Sequence, residues 1–235
     1  MAEKITEKII QSGDVIEFYD YKEGYLKGYQ DSVRGPRRDR EEITIKEQLE
    51  NRKSKLNSKK KRLKRLIHAN KDNLKRFVTL TFEEDVTDMN VAKKRLDRFK
   101  DKIRYNYRSF KYIIVFNYQE NGRLHFHILW DLPYIEQDEL VELWGNGTVY
   151  VDKPENIANY MANHINEELV RPEFIDNKTY FSSKGLKKPQ EYTNEDALDI
   201  LWDLKMSRNG PVFTTKFEND YLGEINYEKY WEDSG

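Results

Sequence analysis

From residue 77 onward, apolar and polar positions alternate in blocks whose period switches between two and about 3.6, the marks of strands and of one-sided helices. Residues 77–82 (FVTLTF) interleave aromatic, Val and Thr positions and predict a strand. Over 88–107, Ala92, Leu96, Phe99, Ile103 and Tyr107 recur at spacings of 4, 3, 4 and 4, one face of a helix behind an Asp cap. Strands follow at 111–117 and 123–130, a helix at 135–144, a strand at 147–151 and a helix at 156–165. The order β-α-β-β-α-β predicts an α+β fold with a ferredoxin-like, RRM-like core: a central antiparallel sheet with helices on one face. The other face is then expected to be open to a ligand.

Ahead of this block the pattern is dominated by charge. Residues 34–76 hold 17 Lys or Arg against 6 Asp or Glu, while the whole chain has a net charge of -1, so a basic segment precedes an acidic body. Such asymmetry points to a polyanionic partner, nucleic acid being the usual one, although a solvated linker has the same composition. Leu49, Leu56, Leu63 and Leu66, at spacings of 7, 7 and 3, place one apolar stripe on this segment. A helix is expected that lies on the body by its leucines and offers Lys59, Lys60, Lys61, Arg62, Lys64 and Arg65 to phosphates. Residues 13–29 predict a short hairpin or extended arm. The division expected is an N-terminal extension over 1–76, a core over 77–190, and a C-terminal extension over 191–235 packed on the core.

Composition narrows the classes. Charged residues make up 35% of the 235, yet 16 Tyr, 11 Phe and 4 Trp supply side chains large enough for a core. The absence of Cys removes disulfides, a thiolate nucleophile and a zinc ribbon. The first residues, MAEKITEKII, lack the apolar centre of a signal peptide, and no run nears the roughly 18 apolar residues of a membrane span. A soluble, cytoplasmic protein without a membrane partner is expected.

Candidate chemistry concentrates in RLHFHILW, residues 123–130. In a strand, His125 and His127 share one face while Leu124, Phe126, Ile128 and Trp130 share the other. One face meets the helices, and the other presents an imidazole pair to the open side, as a metal site or merely as two satisfied polar positions. The hairpin before it admits two registers. A three-residue loop with Gly122 in the left-handed region sets Asn117 opposite His125 and Gln119 opposite Arg123, and puts both amides on the histidine face. A two-residue Asn-Gly turn sends them to the other side. The first register gives the polar residues a polar destination and is preferred.

FVTLTF, LHFH and the helix NIANYMANHI, in that order, resemble the three motifs of the HUH endonucleases, and within them the rolling-circle replication initiators of plasmids, phages and integrated elements of Gram-positive bacteria. IHAN (67–70) before the first motif and YFSSKGLKKP (180–189) after the tyrosine helix extend the resemblance over most of the chain. It implies a divalent metal, Mn²⁺ or Mg²⁺, held by His125 and His127 with Asn117 or Gln119. It also implies a nucleophile, Tyr160, that forms a 5′-phosphotyrosine and a free 3′-hydroxyl. The implied partners are single-stranded DNA at an origin hairpin and a host helicase and polymerase, as there is no Walker A sequence for unwinding.

Two positions depart from the family pattern. Asn117 stands where a Glu is usual and Asn163 where a Lys follows the tyrosine by a turn; both losses remove charge, and His164, four residues after Tyr160, is an auxiliary neighbour in its place. A site without a carboxylate should hold hard Mg²⁺ poorly and Mn²⁺ better. Thr79 and Thr81 contact the DNA backbone or simply form strand, and Lys184, Lys187 and Lys188 around Gly185 make a basic loop able to hold phosphate. Two functions fit: a metal-assisted nicking and joining initiator, or a catalytically impaired relative that binds DNA as a regulator or origin marker. An unrelated metal protein explains neither the basic segment nor Tyr160.

Overall fold

The computed structural model describes residues 3–28, 43–107, 109–118, 122–152, 154–174, 177–207 and 210–231. The chain forms two compact units: Thr44–Lys187, and Met1–Ile43 joined with Lys188–Gly235. The boundaries expected near 76 and 190 differ from these. The basic helices group with the sheet that follows them, and the first residues of the chain group with its last.

In the unit Thr44–Lys187, α1 (Ile45–Ser54) and α2 (Leu56–His68) precede the sheet. A capping box opens α1: Thr44 Oγ1 accepts from the Glu47 N–H at 3.2 Å, and the Glu47 carboxylate accepts from the Thr44 N–H at 2.9 Å. The single basic helix expected is therefore two, joined at Lys55, and its stripe is refined: Leu56, Leu63 and Ile67 are buried, Leu49 and Leu66 half-buried. Then come β3 (Arg76–Thr81), α3 (Met89–Tyr107), β4 (Tyr112–Tyr118), β5 (Leu124–Trp130), α4 (Gln137–Trp144), β6 (Val149–Asp152), α5 (Ile157–Asn163) and β7 (Tyr180–Ser182). Asp88 accepts from the Asn90 N–H at 2.7 Å, supplying the expected cap of α3.

The sheet order is β6-β3-β5-β4-β7 with every pairing antiparallel, the ferredoxin-like order extended by β7 at one edge. Asn117 pairs with His125, and Gly122 has φ +82°, which establishes the three-residue-loop register over its alternative. Gly147 is required where β6 starts: a Cβ there would lie 2.5 Å from the Glu83 nitrogen and the Thr81 oxygen.

Leu124, Phe126, Ile128 and Trp130 face α3 and α4. Phe99 of α3 stacks on Trp130 with centroids 6.2 Å apart, Phe82 touches both Phe126 and Trp144, and Trp144 Nε1 donates to the Thr81 carbonyl at 2.7 Å. The opposite face was expected to be open, and it is covered. There α2 and α5 lie against each other, and every residue of β5 is buried, both histidines included. The sequence of α2 is basic enough to suggest an exposed arm, but its leucines bury it on the sheet. Asn70 fixes its end. The buried amide donates to the carbonyls of Leu66 and Lys187 and accepts from the Lys187 N–H, all within 2.9 Å.

The other unit contains β1 (Lys4–Ser12), β2 (Val15–Leu26), β8 (Gln190–Thr193), α6 (Glu195–Met206), β9 (Phe213–Asn219) and β10 (Gly223–Trp231), with sheet order β8-β1-β2-β10-β9. The expected hairpin or arm over 13–29 is instead one long strand, β2, whose turn partner lies before it: Ser12 pairs with Val15, and Gly13 takes φ +59° in the turn. Ile9, Ile16, Phe18 and Tyr230 pack with Ala197, Leu201 and Leu204 of α6.

Candidate active site

The site is built from three strands and one short helix. Strand pairing sets Thr79 beside His127, Thr81 and Asn117 beside His125, and Phe77 beside Leu129, all on the face covered by α2 and α5. Asn156 caps α5, its side chain accepting from the Asn159 N–H at 3.1 Å. Ala158, Met161 and Ala162 are the buried residues of that helix, while Tyr160 and His164, four residues apart, meet the histidines.

The result is a nest of rings. His164 stacks on His127 at 4.1 Å between centroids, His125 meets His127 edge-on at 4.6 Å, and Tyr160 stands edge-on to both His127 (5.4 Å) and His164 (4.9 Å). Phe77 supports the group from the side, 5.7 Å from His127 and 5.5 Å from Tyr160. One ring nitrogen from each of His125, His127 and His164 lies within 4.8 Å of the others.

His125 and His127 are 9% and 3% exposed, so the expectation that they face solvent is corrected. Four buried polar atoms here have no protein partner: His125 Nδ1, His127 Nε2, His164 Nε2 and Asn117 Oδ1. Each would cost about 1–3 kcal/mol if nothing else satisfied it. Burial, with His164 and then the other histidines adding to it, holds the His125 imidazole down to about 4 and that of His127 to about 2; burial also lowers His164 against the opposing Glu168. All three rings are neutral at pH 7, with lone pairs available. The partners of the other nitrogens matter equally. The Thr79 hydroxyl and His127 Nδ1 are 2.9 Å apart; when the ring donates from Nδ1, its Nε2 lone pair is free. Asn117 Nδ2 and His164 Nδ1 are 3.1 Å apart, and a half-turn of the amide lets Oδ1 accept the Nδ1–H and frees Nε2 in the same way. Three neutral imidazole nitrogens without protein partners fit a divalent cation.

Tyr160 is 38% exposed, enough for its hydroxyl to meet a substrate. Burial, and next the Asp152 carboxylate, raise its phenol above the ordinary tyrosine range.

The structure brings together Tyr160, His125, His127, Asn117, Thr79 and His164. Only His164 changes standing, from auxiliary neighbour to third member of the imidazole cluster. Thr81 bonds the Thr148 carbonyl at 3.0 Å. Asn163 is exposed, away from the cluster, and Gln119 lies outside the described residues. On α2, Lys61 and Arg62 are exposed, whereas Lys59, Lys60, Lys64 and Arg65 are half-buried; Lys184, Lys187 and Lys188 are exposed. Missed from sequence were the orienting part of Thr79, the proximity of Asp152 to Tyr160, and Arg52. The Arg52 guanidinium is buried and donates to the carbonyls of Leu169 (2.5 Å) and Asn177 (3.0 Å). A Thr on the same strand face as the histidines was the one available signal; the other two depend on segments far apart in sequence.

No helix among the described residues is long and apolar enough to cross a membrane. No curated protein and no solved structure matches the chain. Residues 75–169, from the start of β3 past α5, match the family model of the replication-associated proteins of the ORF2 type, and over that segment, which holds all three clustered histidines and Tyr160, the chain is similar to replication-associated proteins.

Proposed function

We infer that this protein is a replication initiator whose unit Thr44–Lys187 nicks and rejoins single-stranded origin DNA through Tyr160. The observation that carries this reading is the convergence of three partnerless imidazole nitrogens beside an accessible tyrosine on one helix. His125, His127 and His164 would hold a divalent ion, and when bound it would supply Lewis-acid stabilisation to a non-bridging oxygen of the scissile phosphate. The all-nitrogen, uncharged donor set suits Mn²⁺ or another imidazole-tolerant ion better than Mg²⁺.

The chain's own groups account for the remaining steps. Tyr160 Oη attacks phosphorus, the bond to the 3′ oxygen breaks, the phenolic proton leaves to solvent, and the 3′ oxygen takes up a proton as a free hydroxyl. One phosphodiester is exchanged for another, so rejoining needs no nucleotide cofactor. Because the phenol is raised rather than lowered, Tyr160 is held protonated until substrate arrives, which limits idle reactivity. Thr79 and Asn117 set the tautomers of two rings. The exposed cations Lys61, Arg62, Lys184 and Lys187 are the groups placed to contact phosphates. Separate helicase and polymerase activities would complete replication.

The raised phenol and the absence of a carboxylate among the clustered ligand atoms favour a second reading, a DNA-binding relative with impaired catalysis. One experiment separates them. Wild-type protein incubated with single-stranded origin DNA and Mn²⁺ should yield a denaturation-resistant adduct, and Tyr160→Phe should yield none while binding DNA as well. An adduct retained by the Phe variant would move the nucleophile to another tyrosine, such as Tyr150, which shares the histidine face. No adduct from wild type leaves the second reading.

A further inference from the structure

A cavity of about 590 Å³ opens beside the imidazole cluster, and none of the chemistry above uses it. Ile67, Leu74, Phe77, Leu129, Leu132 and Ile157 line its apolar floor. Lys71, Lys75 and Arg76 stand around it, with the polar groups of Asn73, Asp131 and Glu155. Phe77 is the wall shared with the active site: its ring lines the cavity and touches both His127 and Tyr160. The pair Phe77 and Leu129 lies one step along the same sheet face from Thr79 and His127. Two residues of strand advance about 6.6 Å, comparable to one nucleotide of an extended single strand.

We propose that this cavity holds the nucleobase next to the scissile phosphate; the inference rests on the strand-nicking reading above. An apolar floor with one aromatic wall suits the face of a base, and the neighbouring cations suit the backbone phosphates that must accompany it. Asn73 and Glu155 supply acceptors at the edge, so a base carrying an exocyclic amino group gains bonds that thymine cannot make. The cavity thus couples recognition to chemistry, since a seated base presses on the side chain that supports Tyr160 and His127.

The test uses the full chain without metal, so that it does not depend on nicking. Anisotropy is measured with a 12-nucleotide mixed-sequence strand and with the same backbone lacking all bases. The wild type should prefer the strand with bases by about ten-fold, the worth of one stacked base. Pro133→Trp, at an exposed position of the lining, should reduce that ratio to near one; Lys75→Ala with Arg76→Ala should weaken both probes equally. Photocrosslinking of a 5-iododeoxyuridine strand to the unmodified protein gives a check free of mutation, with crosslinks expected in residues 67–77, 129–133 or 154–157. An unchanged ratio in a folded Pro133→Trp protein, or crosslinks confined to other segments, overturns the proposal. Base preference without a Tyr160 adduct would instead overturn the nicking reading and leave the cavity assignment standing.

Discussion

The two faces of β5 are equally buried and built on opposite principles. Toward α3 and α4, Leu124, Phe126, Ile128 and Trp130 fill space with apolar atoms that need no partner. Toward α2 and α5, His125 and His127 bring nitrogens into the same low-dielectric surroundings and leave them unmatched. The first face stabilises the sheet; the second spends some of that stability on chemistry. Burial alone therefore does not distinguish core from site. Unmet bonding capacity does.

The contrast breaks most sharply on the apolar side. Phe126→Ala should cost about 3–5 kcal/mol, from reduced burial plus the cavity left among Phe82, Trp144 and their neighbours. Denaturant titration checks this, and a loss under about 1 kcal/mol would mean that the face is not a packed core.

Acid should act on the polar face alone. The folded pKa values of about 4 for His125 and about 2 for His127 lie below the unfolded value of 6.5, so the unfolded chain binds more protons in that interval. Their contribution is present in full above pH 6.5 and is lost as pH falls toward 4 and below. Melting temperatures across this range should fall for the wild type more steeply than for His125→Phe with His127→Phe; parallel curves would assign the acid sensitivity to other groups.

Asn117→Glu sharpens the comparison by adding the charge that the polar face lacks. Its register places the new carboxylate beside His125 and within reach of His164. Metal affinity by calorimetry should rise about ten-fold, more for Mg²⁺ than for Mn²⁺, as the hard cation gains more from a carboxylate. A fall in melting temperature without any gain in affinity would show a buried charge and no metal.

His127→Phe exchanges a partnerless polar ring for an apolar one stacked on Phe77. It should stabilise the metal-free protein by about 1 kcal/mol while ending adduct formation, because a buried unsatisfied nitrogen disappears. A destabilised variant would mean that the imidazole already has a protein partner.

The smallest effect lies on α2, which repeats the contrast in one helix: Leu56 and Leu63 are buried, while Lys61 and Arg62 are exposed. Changing these two cations to Gln should flatten the log–log salt dependence of single-strand binding by about 0.7 for each phosphate no longer neutralised. An unchanged slope would make the helix a packing element only.

Much of this was legible locally. The β-α-β-β-α-β order, the cap at Asp88 and the pairing of Asn117 with His125 followed from periodicity and turn chemistry, since each depends on residues close in sequence. What escaped were meetings between distant segments. Polar His125 and His127 suggested an open face because nothing nearby announces that α2 and α5 will cover them. The membership of His164 in the cluster needed the placement of α5 over β5. The second sheet was hidden for the same reason: β2 pairs with β10 across nearly the whole chain, and β9 has almost no buried position to betray it.

The discontinuity of that second unit bears on how the protein is made. Strands β1 and β2 leave the ribosome first, yet their partners β8 and β10 follow only after Thr44–Lys187 has been synthesised. At about 5–20 residues per second, the first hairpin waits on the order of ten seconds with unpaired edges, while the inserted unit has everything it needs to fold. Biogenesis should therefore run from the inside outward. Ribosome-stalled chains ending near residue 187 should already protect β3 to β7 from protease while leaving β1 and β2 open to cleavage; early protection of β1 and β2 would contradict this order. It follows too that removing the first 75 residues would not merely strip cations from the protein. It would take two adjacent strands out of the middle of a sheet and leave the chain's last strands as an aggregation template.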